Sequence, residues 1–501
     1  MLDVPTVFDR LVQQLGRIAS AVLLLGAVAF ILAYVWIASQ RLIYPYELEW
    51  MEGGAVAHVQ QILDGRCLYR EPSLDFVAFN YTPLYFYVSA AVAAAIGNGF
   101  FALRLISLLA SLACFVLIFA IVRRRCGSGY AGVVGAALYA ATFRVAGAWF
   151  DIARIDSLFM ALLLAGIYLF DSPRAAVRSY AAPVVMFMAF FTKQTALFVA
   201  VGLAVSALLT RRGRERVMFA AVFGGLVVTS TLAMNAVTDG WFQFYVFGLA
   251  SSHDISPAML TAFWTFDLRD LYVALVFCCI AILVPRGPSR LNDRTVQDGL
   301  LLVSLLVASY LVRLHSVAYS NGLMPAAAGI AIFFGAGFCE ALRWLEQLPS
   351  GKLALIMVAA LQFLVLGYSP TSQVPAAADR RAGDALIERV AKLEGEVYWP
   401  EHPWYLYDMG KPLQAQEMSV VDVALDPNSA DIQQQLRQEM AIAVETQRYT
   451  AFVLDGPSFM LKPPNFEARY VLVESNLTGS RFWPVTGARR KPTQLWVRRP
   501  R

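Results

Sequence analysis

The length of the apolar runs limits this chain more than any motif in it. Continuous apolar stretches recur from residue 18 onward, many close to the ~20 residues that cross a bilayer as helix. In hydrocarbon every backbone N–H and C=O must be satisfied inside the segment or in a closed barrel. The runs are continuous rather than alternating, so they are read as helices. Composition agrees: 58% of the 501 residues are hydrophobic and 15% charged, where soluble domains carry about 25% charged residues. The mean hydropathy is +0.55. The expected fold is a polytopic α-helical membrane protein. A net charge of +5 is small for this length and gives no sign of nucleic-acid binding.

Eleven spans are expected, at about 18–38, 100–122, 130–148, 156–170, 180–192, 195–210, 217–237, 268–285, 298–312, 318–338 and 353–369. The first run has no cleavage site in good context and reads as an uncleaved span. The run 84–97 is short and reads as a re-entrant or surface helix. Counting it as a span would place Arg123, Arg124 and Arg125 outside and invert every later basic loop. The loops RRRCGSG, DSPRAAVRS, RRGRER, PRGPSRLNDR and ALRWLEQLPSGK then all lie on the cytoplasmic side, with the N-terminus. The six cysteines contain no CxxC pair, so neither a disulfide nor a metal cluster is expected.

The opposite side begins with the first long polar interval, a loop at 39–99. It holds Glu47, Glu49 and Glu52, followed by Gly53 and Gly54. After them Ala55, Val56, Val59, Ile62 and Leu63 recur at helical spacing, with His58, Gln60, Gln61 and Asp64 opposite. That pattern predicts a short interfacial helix lying flat on the membrane and ended by Gly65. Other ionisable groups fall on the same side: Asp151, Arg154 and Asp156; Lys193 with Gln194; His253 with Asp254; Arg313 and His315, with Asn321 close behind. Polar groups at membrane depth are costly and usually mark function.

Residue types of this kind suit sugar transfer from a lipid phosphate. An acceptor hydroxyl or amine needs a carboxylate as general base, for which Glu47, Glu49 and Glu52 are the candidates. The departing phosphate needs cations, for which Lys193, Arg154, Arg313 and His315 are the candidates. Asp151, Asp156, Gln194 and Asn321 are read as supporting residues. Each has a plainer reading. The glutamates can be a solvated segment, and Asp151, Arg154 and Asp156 an ion pair capping two helices. Lys193 can snorkel at a helix end, and the histidines can be satisfied by hydrogen bonds at the interface.

Several stretches together carry a family resemblance: the acidic first loop, DGRCLY at 64–69, YTPLYFYVSA at 81–90, and the Arg-bearing FFALRLISLL at 100–109. FDIARID at 150–156, FTKQT at 191–195 and the aromatic-to-Pro stretch 319–325 follow in order. Over about 20–340 the chain resembles the GT-C superfamily of polyprenyl-phosphate-dependent glycosyltransferases, in particular the family 39, protein mannosyltransferase-like type and the bacterial aminoarabinose transferases. The resemblance implies an inner-membrane enzyme of cell-envelope biogenesis. It would use a polyprenyl-phosphate-linked sugar and an extracytoplasmic acceptor (a lipid, glycan or protein), and no metal or other cofactor. Where that family has an Asp-Glu pair this chain has Met51 and Glu52, so the base stays open among the three glutamates. An O-antigen ligase or polymerase, and a transporter or flippase, are the competing readings. A ligase would carry its Arg and His residues in one late loop, and a transporter would need polar groups through its spans.

From about 370 the composition turns polar. Domains are expected at 1–370, a GT-C-like transmembrane module, and 371–501, a small extracytoplasmic α/β domain. β-like runs occur at 396–399, 451–455, 469–473 and 494–497, and helical patterns at 381–394 and 430–446. The aromatic stretch 399–407 is suited to stacking on sugars, though core aromatics beside a strand are the simpler reading.

Overall fold

A computed structural model describes residues 7–252, 254–284, 293–316 and 318–500. His253 and most of the basic loop at 285–294 lie outside the described residues. The bundle opens with helices α1 (Val7–Leu42), α2 (Glu52–Leu63), α3 (Leu84–Ile96), α4 (Phe100–Cys126) and α5 (Gly129–Ala141). It continues through α6 (Asp156–Phe170), α7 (Ala182–Phe190, entered through a π-helical turn Val177–Ala181), α8 (Ala196–Thr210) and α9 (Glu215–Val237). Helices Tyr272–Leu283, Asp293–Arg313, Met324–Trp344 and Pro349–Val365 complete it.

A helix stands at each of the eleven expected places, but among the described residues five are long and apolar enough to cross a membrane: Arg10–Leu42, Phe100–Cys126, Glu215–Val237, Asp293–Arg313 and Ser320–Trp344. A sixth results if Pro349–Val365 and the bent segment after it count as one. The protein is thus an integral, multi-pass membrane protein. The shorter helices have a physical cause. The expected span 130–148 ends as helix at Ala141, and 142–155 run on as buried turns with positive φ at Gly147 and Ala148. Polar loops reach into the bundle and use length that a straight helix would take. α3, at 13 residues, rises about 20 Å, well under the ~30 Å of hydrocarbon.

The centre is Met324–Trp344, buried on all sides along its apolar length. Its Ala and Gly residues let neighbouring backbones approach. A Cβ on Gly335 would sit 2.8 Å from the Ala131 carbonyl and 3.2 Å from Gly135 Cα. Small residues at such crossings are the usual route to close packing between membrane helices.

The C-terminal region forms a four-stranded sheet in the order β1-β2-β4-β3. Its strands are β1 (Glu396–Tyr398), β2 (Tyr449–Leu454), β3 (Tyr470–Glu474) and β4 (Gln494–Arg498). β1 runs parallel to β2, and the other two pairings are antiparallel. Helices Ala377–Ala391 and Ala430–Glu445 flank it. The apolar core under this sheet is continuous with Val56, Val59, Phe79 and Tyr85 of the first loop and its helices. α2 therefore departs from the expected surface helix with a wet polar face. His58 and Gln61 are buried: the rings of Phe76, Phe79 and Phe86 pack on His58, and Trp404 and Gln416 of the C-terminal region close on Gly53 and Gly54.

Gly335→Leu is expected to lower stability by about 1–3 kcal/mol through overpacking, read as a lower melting temperature in detergent. Gly224→Leu, at a helix position with open space around it, should melt like the parent protein.

Candidate active site

The first loop takes its shape from one buried guanidinium. Arg104, in the first turns of α4, is fully buried. Its Nε and Nη2 donate to Glu52 at 2.9 and 2.6 Å, Nη1 to the Arg41 and Tyr44 carbonyls at 3.0 and 2.6 Å, and Nη2 again to the Tyr46 carbonyl at 2.6 Å. All five donors of the group are used. Glu52 also accepts the Leu48 and Ala153 N–H groups, both at 2.6 Å. Four donors on two carboxylate oxygens leave no lone pair for a substrate proton. Glu52 ties the loop, α4 and the 142–155 turns together.

Glu49 is held differently. Its Oε2 accepts from the Met51 N–H at 3.2 Å and from Arg154 Nη1 at 3.3 Å. Arg154 Nη2 donates to the Tyr81 hydroxyl at 3.2 Å, and its guanidinium lies 5.5 to 5.7 Å from the rings of Phe79, Tyr81 and Trp149. Burial pushes the Glu49 carboxyl up to about 8, against the pull of Arg154 toward the ionised form. The C-terminal region reaches this residue directly. Gly487 packs so closely that a Cβ there would fall 2.5 Å from Glu49 Cγ, and its N–H donates to the Tyr319 hydroxyl at 3.2 Å. Its φ of +78° also favours glycine.

Glu47 faces the C-terminal region. It accepts from the Gly53 N–H at 3.1 Å and shares a short hydrogen bond with His402 Nδ1. His402 Nε2 lies 3.2 Å from Asp455 on the far side. Burial opposes a charged imidazole, but Asp455 and Glu47 outweigh it and hold the His402 pKa well above the usual value. Burial raises Glu47 to about 7, with His402 opposing. This carboxylate–imidazole–carboxylate chain docks the C-terminal region onto the first loop.

A second charged group lies beside Glu49 and Arg154. Asp156, the first residue of α6, accepts from Lys193 Nζ at 2.6 Å, Asn321 Nδ2 at 3.1 Å and Trp149 Nε1 at 2.8 Å. Trp149 links the two groups, touching Arg154 on one side and Tyr319 on the other, with 4.9 Å between the Trp149 and Tyr319 ring centroids. Arg154 uses two of its five donors and Lys193 one of its three among the described residues.

The remaining candidates are placed elsewhere. Asp151 pairs with Arg41 at 2.9 Å, both buried, at the last turn of α1 where the first loop begins. Gln194 bridges the Asn80 and Val246 carbonyls at 2.8 and 2.9 Å. Arg313 clamps Asp267 at 2.8 Å and the Ala318 carbonyl at 2.8 Å, on the turn leading to Asn321. His315 lies in a short backbone bridge to Ile255. Sequence reasoning did not single out Arg41, Arg104, Tyr81, Trp149, His402 or Asp455 for a role. A signal existed for Arg104, which is the one charged residue within the apolar run 100–122. The partners of His402 are 355 and 53 residues away, and no local pattern reports them.

No curated protein matches the chain in sequence. The family profile of dolichyl-phosphate-mannose-protein mannosyltransferases matches residues 80–235, a stretch that includes Tyr81, Arg104, Arg154, Asp156 and Lys193. Among solved structures, the chain is similar to ArnT from Cupriavidus metallidurans. Against its complex with undecaprenyl phosphate the identity is 14%, covering 85% of this chain and 95% of the other, with a TM-score of 0.53. Against apo ArnT the identity is 13%, the coverage 94% and 97%, and the TM-score 0.57. The Archaeoglobus fulgidus oligosaccharyltransferase tethered to an acceptor peptide matches at 10% identity, covering 86% and 69%, with a TM-score of 0.51. The chain has the GT-C fold that its sequence resemblance implied.

Glu52→Gln is expected to destabilise the protein by about 3–5 kcal/mol, because it leaves Arg104 buried without its counter-charge. The measurement is thermal unfolding and monodispersity in detergent. A well-folded Glu52→Gln protein that lost only activity would contradict the structural role.

Proposed function

We propose that this chain is a membrane glycosyltransferase that moves a sugar from a polyprenyl-phosphate donor to an acceptor outside the cytoplasm, with Glu49 as general base. The observation that carries the proposal is the Glu49–Arg154–Tyr81 group lying against Asp156–Lys193–Asn321. One carboxylate there keeps a raised pKa, and two cations keep free donors. Among the three first-loop glutamates, Glu52 is saturated and Glu47 is engaged by His402, which leaves Glu49. The likeness to ArnT, whose structure was determined with undecaprenyl phosphate, supports the donor class. The oligosaccharyltransferase with its tethered peptide is one precedent for the acceptor, which on this reading is a lipid, glycan or protein. The sugar is a hexose or pentose.

In this reading Arg154 and Lys193 hold the phosphate as it departs with the growing negative charge, in a water-poor setting where such contacts are strong. Glu49 takes the proton from the acceptor as it attacks the anomeric carbon. Asp156, Trp149 and Asn321 fix the position of Lys193. The reaction uses no metal: Glu49, Glu52, Asp151 and Asp156 each already face a cationic side chain. The protein sits in the inner membrane with its N-terminus in the cytoplasm and residues 371–501 outside it, the orientation that the basic loops favour. A transporter would spread its polar groups through the spans, whereas these four ion pairs are gathered around the first loop.

Glu49→Gln is expected to keep the fold and lower transfer by about 10²–10⁴-fold. The check is a transfer assay with a polyprenyl-phosphate sugar, alongside a melting curve. Full activity in Glu49→Gln would remove Glu49 as the base. The raised pKa sets the pH dependence. A base works ionised, so kcat/KM should climb as pH rises toward about 8 and level off above it.

A further inference from the structure

A cavity of about 650 Å³ lies at the end of the bundle away from the first loop, between the start of α1, the turn after α4, and the join between helices Met324–Trp344 and Pro349–Val365. Arg17 and Arg41 are separated along α1 by about 36 Å. The cavity is therefore about one hydrocarbon thickness from the Arg41 end, at the depth of the opposite headgroups. Three cations line it, Arg17, Arg343 and Lys352, against one carboxylate, Glu346. Arg343 is partly engaged, with Glu340 at 3.1 Å and the Cys126 carbonyl. Among the described residues Arg17 and Lys352 have no ion-pair partner. Leu342 and Ile356 give the cavity an apolar wall. Beside it Trp344 is 78% exposed and Leu348 57% exposed, as suits side chains at a membrane interface.

We propose that this cavity binds the headgroup phosphate of an acidic glycerophospholipid. Arg17 and Lys352 face the phosphate, and the first acyl methylenes lie along Leu342 and Ile356. Charge complementarity selects an anion, and the apolar wall selects one that carries a hydrocarbon tail. The volume falls within the ~300–1,000 Å³ typical of small-molecule sites. The lipid would bridge α1 to the Pro349–Val365 helix at the end where no other ion pair joins them among the described residues. Nothing in this proposal depends on the transferase reading.

The test is native mass spectrometry of the full chain in detergent, with equal amounts of phosphatidylglycerol and phosphatidylcholine added. Phosphatidylglycerol adducts should survive preferentially. The double variant Arg17→Gln/Lys352→Gln should weaken their retention by about 30-fold, from the loss of two cations near a lipid surface. Leu342→Trp, which fills the cavity and leaves the charges in place, should also lower retention. If the double variant fails to fold, Arg17→Gln alone and Leu342→Trp carry the test. Equal retention of the two lipids, or retention unchanged in the variants, overturns the proposal. So does displacement of phosphatidylglycerol by millimolar inorganic phosphate, which would assign the site to a free anion.

Discussion

The buried pair of Arg104 and Glu52 is the contact on which the rest of the first-loop end depends. A guanidinium in a dry interior must use all its donors, and each unmet one carries a desolvation cost. Arg104 meets that demand with three carbonyls from 41–46 and one carboxylate from residue 52. Those carbonyls fix the exit of the chain from α1. Glu52, through Ala153 N–H, fixes the buried turns before α6. Glu49 and Arg154 each lie within three residues of these anchors, so their approach to one another follows from the pair. The same geometry that makes Glu52 a poor base gives Glu49 a defined place.

The C-terminal region belongs to this arrangement rather than hanging from it. Its aromatic core continues into the first loop, and His402 sits between Glu47 and Asp455. Thr486 N–H donates to the Leu48 carbonyl at 3.2 Å, one residue from Glu49. The backbone of Gly487 covers Glu49 itself. A boundary drawn at 370 from composition marks where the spans end, but the apolar packing crosses it.

Much of this was legible from local pattern. Hydropathy placed the eleven helices, and short β-like runs placed all four strands, because both signals lie within a local segment. The loop carrying the carboxylates, and most of the residues that meet there, followed from charge and position. Two things did not follow. The length of α5 was overestimated, because the apolar residues Phe143 and Ala146 are buried, and Val145 partly buried, as turns rather than helix. The ranking of Glu47, Glu49 and Glu52 was also beyond reach. It depends on Arg104, Arg154 and His402, whose distances along the chain are 52, 105 and 355 residues. Three glutamates within six residues look alike until their partners are known.

Four ion pairs made by Arg or Lys are gathered around the first loop: Arg41 with Asp151, Arg104 with Glu52, Arg154 with Glu49, and Lys193 with Asp156. They divide by what else they bind. Arg41 and Arg104 also donate to backbone carbonyls, Arg41 to Gln373 and Ala148 and Arg104 to 41, 44 and 46, although Arg41 Nη2 has no partner among the described residues. Their displacement would unmake the loop. Arg154 and Lys193 bind side chains alone, Glu49, Tyr81 and Asp156, so an incoming anion can engage them without disturbing the backbone. In a setting where an unpaired charge is costly, such a pairing keeps the resting site neutral and, on the proposed reading, would leave donors for a phosphate. Arg154 also favours the ionised form of Glu49. On the proposed reading, an anion that draws on Arg154 would weaken that influence and make Glu49 a stronger base, coupling the arrival of a phosphate to the proton-accepting power of the residue beside it.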